Sequence, residues 1–201
     1  MNIADLRAAD CGPVISTVLF DLDGTLADTA PDLAYALNRV LEEQGSPSLP
    51  FAAIRPIVSH GGIALIRFGF GLEPDHPRFA GLRQRLLDIY RENITARTRL
   101  FPGMAELLSQ IEERGLNWGV VTNKPAWLTE PLMEGLKLTT RAATIISGDT
   151  LDERKPHPAP MLLACREAGS EPGQCLYIGD AERAILAGDQ QTGVDLMVVE
   201  E

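Results

Sequence analysis

The chain has 201 residues, 45% of them apolar and 23% charged, which suits one good-sized core or a core with a small insertion. Twenty-eight acidic residues against 18 basic ones leave a formal net charge of −10, which argues against a nucleic-acid partner, and nothing approaches the run of roughly 18 apolar residues that a membrane helix needs. No secretory signal pattern opens the chain, and its three cysteines (Cys11, Cys165 and Cys175) are widely spaced, which fits a reducing cytoplasm rather than a disulfide scaffold or a zinc knuckle.

In chain order, Val14–Phe20 is a short apolar run ending at an acid, the pattern of a buried strand. Asp23-Gly24 is a turn, and Pro31 opens a helix with Leu33, Leu37, Val40 and Leu41 on one face, ending at Gly45. After a loop at Ser46–Pro50 come three helical patterns, near Phe51–Val58, Gly62–Phe70 and Pro77–Asn93. The stretch from Thr29 to Ala96 has no strand pattern. It carries seven Arg, no Lys, four Glu and three Asp, so it is neutral and the remainder holds the whole net charge. It reads as a helical insertion.

From Pro102 onward helices and strands alternate. A helix from Pro102 closed by Gly115 precedes a strand at Trp118–Thr122, a helix at Pro125–Gly135 and a strand at Thr144–Ser147. A helix at Pro160–Ala168, a strand at Cys175–Ile178, a helix at Ala181–Gly188 and a strand at Leu196–Val199 follow. This alternation predicts an α/β fold with a doubly wound, parallel-sheet, Rossmann-like core. The core is expected over residues 1–28 and 97–201, with a helical cap over 29–96 inserted after the first strand.

In such a sheet, ligands bind beyond the carboxyl ends of the strands. Four strand ends here carry polar sets: Asp21-Leu22-Asp23-Gly24-Thr25, Thr122-Asn123-Lys124-Pro125, Ser147-Gly148-Asp149 with Lys155-Pro156 soon after, and Gly179-Asp180. These residues suit phosphoryl transfer through a carboxylate. Asp21 can attack phosphorus, and Asp23 can protonate the leaving oxygen and later accept a proton from water. Gly24 lets the loop turn its N–H groups, Leu22 among them, toward a phosphate. The Thr122 hydroxyl and the Asn123 backbone N–H can hold phosphate oxygens, and Lys155 can neutralise the charge that Asp21 shares with the phosphoryl group. The carboxylates of Asp21 and Asp180 suit Mg²⁺, which prefers oxygen ligands.

FDLDGT (Phe20–Thr25), VVTNKP (Val120–Pro125), Lys155-Pro156-His157-Pro158 and YIGD (Tyr177–Asp180) together resemble the haloacid dehalogenase-like hydrolases. The resemblance runs over nearly the whole chain from about Thr17 and is closest to bacterial phosphatases for phosphoglycolate and for N-acetylmuramic acid 6-phosphate. It implies Asp21 as nucleophile, Asp23 as acid and base, and Mg²⁺ on the Asp21 carboxylate, the Asp23 carbonyl and the Asp180 carboxylate. It also implies a small phosphorylated substrate, with neither nucleic acid nor membrane as partner. Ala181 and Ala184 depart from the family pattern, which has a second acid at one of those positions, and relatives usually continue beyond Val199-Glu200-Glu201.

Other features admit two readings. Lys124 reads equally as a site lysine or a surface lysine before a proline. Asp149 reads as a cap or turn residue, and His157, between two prolines, as structural. His60, Gly61 and Arg67 in the insertion could contact the far end of a substrate, or His60 could simply be a solvated residue at a helix start. A phosphosugar mutase and a catalytically weakened or non-catalytic member of the fold are the alternatives to a phosphatase, the latter supported by Ala181 and Ala184.

Overall fold

The structure is a computed structural model and describes residues 14–179 and 193–198. Its elements run β1 (Thr17–Phe20), β2 (Ala27–Asp28), α1 (Ala30–Glu43), α2 (Phe51–Val58), α3 (Gly61–Phe70), α4 (Phe79–Glu92) and β3 (Arg99–Leu100). There follow α5 (Met104–Glu113), β4 (Asn117–Val121), α6 (Ala126–Gly135), β5 (Thr144–Ile146), α7 (Ala159–Glu167), β6 (Cys175–Gly179) and β7 (Asp195–Val198). The chain divides into two compact units, one of residues 28–99 and one of the rest.

The larger unit is built on five parallel strands in the order β5-β4-β1-β6-β7. From β1 the chain steps outward through β4 to β5, then returns to the other side of β1 for β6 and β7. That reversal beside β1 is where a doubly wound sheet opens a crevice at its carboxyl edge. Alternate residues of the strands bury against different helices. Leu19, Val121, Ile146, Cys175 and Tyr177 pack with Met161, Ala164 and Cys165 of α7. Trp118, on the opposite face of β4 from Val121, donates its indole N–H to Glu112 Oε1 on α5 at 2.8 Å. Both faces are therefore covered, and burying each large apolar side chain stabilises by about 1.5–3 kcal/mol.

β1 starts at Thr17 rather than at Val14. Its neighbours begin opposite that residue, with Thr17 level with both Asn117 and Cys175, and Val14 is left exposed. α5 starts at Met104 rather than Pro102 because Gly103 has φ +84°, a left-handed backbone that no helix continues. The helix expected at Ala181–Gly188 lies outside the described residues.

In the smaller unit the face of α1 anticipated from its spacing is buried, with Leu33, Leu37, Val40 and Leu41 facing inward, and α1 packs on α2, α3 and α4. α3 comes close enough to α1 that a Cβ at Gly69 would lie 2.8 Å from Leu37 Cδ1. The unit extends a little beyond residues 29–96. The fully buried Asp32 carboxylate accepts hydrogen bonds from the Arg97 and Thr98 backbone N–H groups and from the Thr98 hydroxyl, which ties that segment to α1.

Candidate active site

The β1 end is a tight loop. Leu26 and Ala27 donate N–H bonds back to the Leu22 carbonyl, and Gly24, at φ +83°, donates to the Ala27 carbonyl. This turn carries Asp21 and Asp23 side by side at the sheet edge. Asp21 is fixed from both oxygens: Oδ1 accepts the Leu22 N–H at 2.8 Å, and Oδ2 lies 2.9 Å from Lys155 Nζ. The Leu22 N–H, read from the sequence as a phosphate donor, here serves Asp21 itself.

Lys155 is buried, and its ammonium meets three acceptors: Asp21 Oδ2, the Val121 carbonyl at 2.8 Å and the Tyr177 hydroxyl at 2.7 Å. Two of these contacts are hydrogen bonds to neutral oxygens, and the third is the ion pair that balances the charge. A buried cation is tolerable only when paired in this way. Tyr177 was missed in the sequence. The available signal was a phenol on a buried strand two residues from Cys175, on the face that looks toward α7.

Asp23 has a lysine too. Lys124 Nζ donates to Asp23 Oδ1 at 2.8 Å, although 101 residues separate them. The lysine side chains are 4% and 7% exposed and their aspartates 15% and 22%, so the ammoniums sit behind and the carboxylates are the solvent-reached members. Lys124 is thus a buried, paired lysine rather than a solvated one before a proline.

Thr122 and Asn123 stand at the end of β4. Thr122 Oγ1 accepts the Lys124 N–H at 3.2 Å, and Asn123 Nδ2 donates to the Lys155 carbonyl at 2.9 Å, joining two of the polar sets. Asn123 Oδ1 is buried without a hydrogen-bond partner. The loop after β5 is pressed against the same turn. Gly148 donates its N–H to the Lys124 carbonyl at 2.8 Å, and a Cβ there would lie 2.2 Å from the Asn123 carbonyl oxygen. Asp149 caps a helix, its Oδ1 accepting the Ala126 N–H at the start of α6 at 2.7 Å. His157 is structural, Nδ1 accepting the Ala159 N–H at the start of α7.

Asp180, with Ala181 and Ala184, lies outside the described residues. Among the described residues no group of three or more His, Cys, Asp or Glu side chains could hold a metal ion. What the described part of the site offers a cation is carboxylate oxygen, from Asp21 and Asp23, the more exposed members of their ion pairs. That donor chemistry fits a hard divalent ion that keeps several waters.

In the smaller unit, His60 is exposed at the start of α3, next to Gly61. Arg67 is occupied by Glu73, to which Nε donates at 2.7 Å. Arg55 pairs with Asp28 at 3.0 Å and lies over the Phe51 ring.

The family model for haloacid dehalogenase-like hydrolases matches residues 18–199. The chain is 41% identical over 174 residues to an N-acetylmuramic acid 6-phosphate phosphatase of Pseudomonas putida, covering 87% of this chain and 78% of that one. It is 42% identical over 170 residues to a phosphoglycolate phosphatase of Xanthomonas campestris pv. campestris, covering 85% and 76%. The crystal structure of a predicted phosphoglycolate phosphatase from Haemophilus somnus superimposes with a TM-score of 0.79 at 28% identity, over 92% of this chain and 84% of that one. The chain belongs to the haloacid dehalogenase-like hydrolases.

Proposed function

We propose that this phosphoric monoester hydrolase cleaves a small phosphate monoester, of the phosphoglycolate or phosphosugar kind, through a phosphoryl group carried on Asp21. The observation that supports this most is the pairing of Asp21 with the buried Lys155, whose ammonium is also hydrogen-bonded to the Val121 carbonyl and the Tyr177 hydroxyl. An Asp21 carboxylate oxygen forms a bond to phosphorus as the ester P–O bond breaks, and Asp23 gives its proton to the departing oxygen, releasing the alcohol. Asp23 then takes a proton from a water whose oxygen attacks phosphorus, and the Asp21 O–P bond breaks to release inorganic phosphate. Lys155 balances the negative charge at Asp21 throughout, and the Thr122 hydroxyl and Asn123 backbone N–H hold phosphate oxygens.

Asp21, the Asp23 carbonyl and Asp180 are the residues that would hold Mg²⁺. Such an ion supplies charge neutralisation that lets one anion approach another. The relatives' names favour two substrate classes, phosphoglycolate and an amino-sugar acid phosphate. The helical unit, with His60, Gly61 and Arg67, is the proposed cap. The Arg67–Glu73 pair means that Arg67 would have to exchange one carboxylate for another to read an anionic substrate.

The test is a screen of small phosphate monoesters with Mg²⁺ and with a chelator. Phosphate release that needs the metal and favours one of these esters is expected. No turnover of any ester at millimolar Mg²⁺ would favour a non-catalytic member of the fold. Transfer of label to a second sugar instead of water would favour a mutase.

A further inference from the structure

We infer that Lys124 is a positioning residue that aims the Asp23 carboxyl at the leaving-group oxygen, an inference that rests on the phosphatase reading above. Its ammonium is 2.8 Å from Asp23 Oδ1, and its side chain is 7% exposed. A lysine is seldom buried so far without a charged partner. The main chain that carries it is held at both ends. The Lys124 N–H donates to Thr122 Oγ1, and its carbonyl accepts from the Gly148 N–H and the Thr129 hydroxyl. Pro125 follows directly and fixes the exit of the chain. The ammonium is therefore presented from a rigid turn rather than from a mobile loop.

The two carboxylates of the β1 loop divide the two lysines between them. Lys155 serves Asp21, where charge accumulates during attack, and Lys124 serves Asp23, where a proton moves. Asp23 sits on a loop beyond the strand, and anchoring one of its oxygens restricts where the carboxyl can point. A proton donor must be within about 2.6–3.2 Å of the atom it serves, so a modest loss of aim weakens it sharply.

The role predicts a dependence on the leaving group. An alkyl ester such as 2-phosphoglycolate departs as a strongly basic oxygen and needs the Asp23 proton. p-Nitrophenyl phosphate departs as a stable phenolate and scarcely needs it. In Lys124→Met, kcat/KM, which reports only the steps up to phosphoryl transfer onto Asp21, is expected to fall about 10–100-fold on 2-phosphoglycolate, against less than about threefold on p-nitrophenyl phosphate, while the hydrolysis step that both esters share slows alike. Lys124→Arg, which keeps a cation on a longer arm, is expected to recover part of the alkyl-ester loss. An equal fall in kcat/KM on both esters, or no change in either, would overturn the role. Should Lys124→Met fail to fold by circular dichroism, Lys124→Arg decides. A loss confined to the alkyl ester supports the role, and a uniform loss or none overturns it. Failure of the wild type to cleave either ester would instead overturn the phosphatase reading, and this inference with it.

Discussion

Lys155 Nζ lies 2.9 Å from Asp21 Oδ2, joining the end of the first strand to a loop 134 positions further along the chain, and the same ammonium bonds the Val121 carbonyl and the Tyr177 hydroxyl. The lysine thus ties together the ends of β1 and β4 and the interior of β6. Lys155→Met is expected to lower kcat at least about 100-fold, the usual loss when a preorganised charge at a reacting centre is removed. Lys155→Arg should not restore it, because a planar guanidinium cannot meet three acceptors arranged around a single nitrogen. Steady-state kinetics at a temperature well below each variant's Tm checks both.

Gly148 and Gly69 are both crowded, but their neighbours differ. At Gly148 an added methyl meets the Asn123 backbone at 2.2 Å, and the main chain must move. Gly148→Ala is expected to destabilise by about 1–3 kcal/mol and to lower activity, since Asn123 and Lys124 move with it. At Gly69 the methyl meets only the tip of Leu37, which can turn away, and alanine favours the helix by about 1 kcal/mol. Gly69→Ala is expected to change stability by less than about 1 kcal/mol. Urea denaturation of the two variants separates these outcomes.

Asp32→Ala removes the acceptor of two backbone N–H groups and one hydroxyl from a fully buried position. Each buried donor left unsatisfied costs about 1–3 kcal/mol. A loss of about 2–4 kcal/mol is expected, with proteolysis near Arg97 increasing first because that segment loses its tie to α1.

The Arg141 guanidinium, bonded to Glu112, holds that carboxyl below its ordinary pKa of 4.5, with the Trp118 indole N–H adding to the effect against partial desolvation. A carboxyl whose folded-state pKa is lowered stabilises the fold above its unfolded-state value and loses that contribution as pH falls through the folded-state value. Glu112→Gln should therefore be less stable than wild type at pH 7 by no more than about 1 kcal/mol, since the pair is partly solvent-screened. The difference should close as pH falls below 4.5, as thermal unfolding from pH 7 to pH 3 would show.

Much of the fold was legible because burial on both faces leaves near-continuous apolar runs. Trp118–Val121, Ile145–Ile146 and Cys175–Ile178 are bounded by polar residues or glycine, and their strands fall within a residue or two of the expected positions. β2 and β3 were not legible, since two residues each carry no periodicity. The sets at the strand ends could be listed in advance because parallel strands share a direction. The pairing of Lys155 with Asp21 was read in advance, but that of Lys124 with Asp23 was not, because a lysine before a proline at a strand end reads equally as a surface residue and only packing brings it to Asp23. The pairing of Arg67 with Glu73 was equally hidden. It depends on the left-handed turn at Gly71, which brings the chain back on the helix it has just left.

The proposed bond between Asp21 and phosphorus can be trapped by acid-quenching the enzyme during turnover of 2-phosphoglycolate with Mg²⁺, then mapping the phosphorylated peptide by mass spectrometry. One phosphoryl group on the peptide containing Asp21, absent in Asp21→Asn, which should fold but not turn over, is the expected result. A phosphoryl group on another residue, or turnover by Asp21→Asn at the wild-type rate, would contradict it.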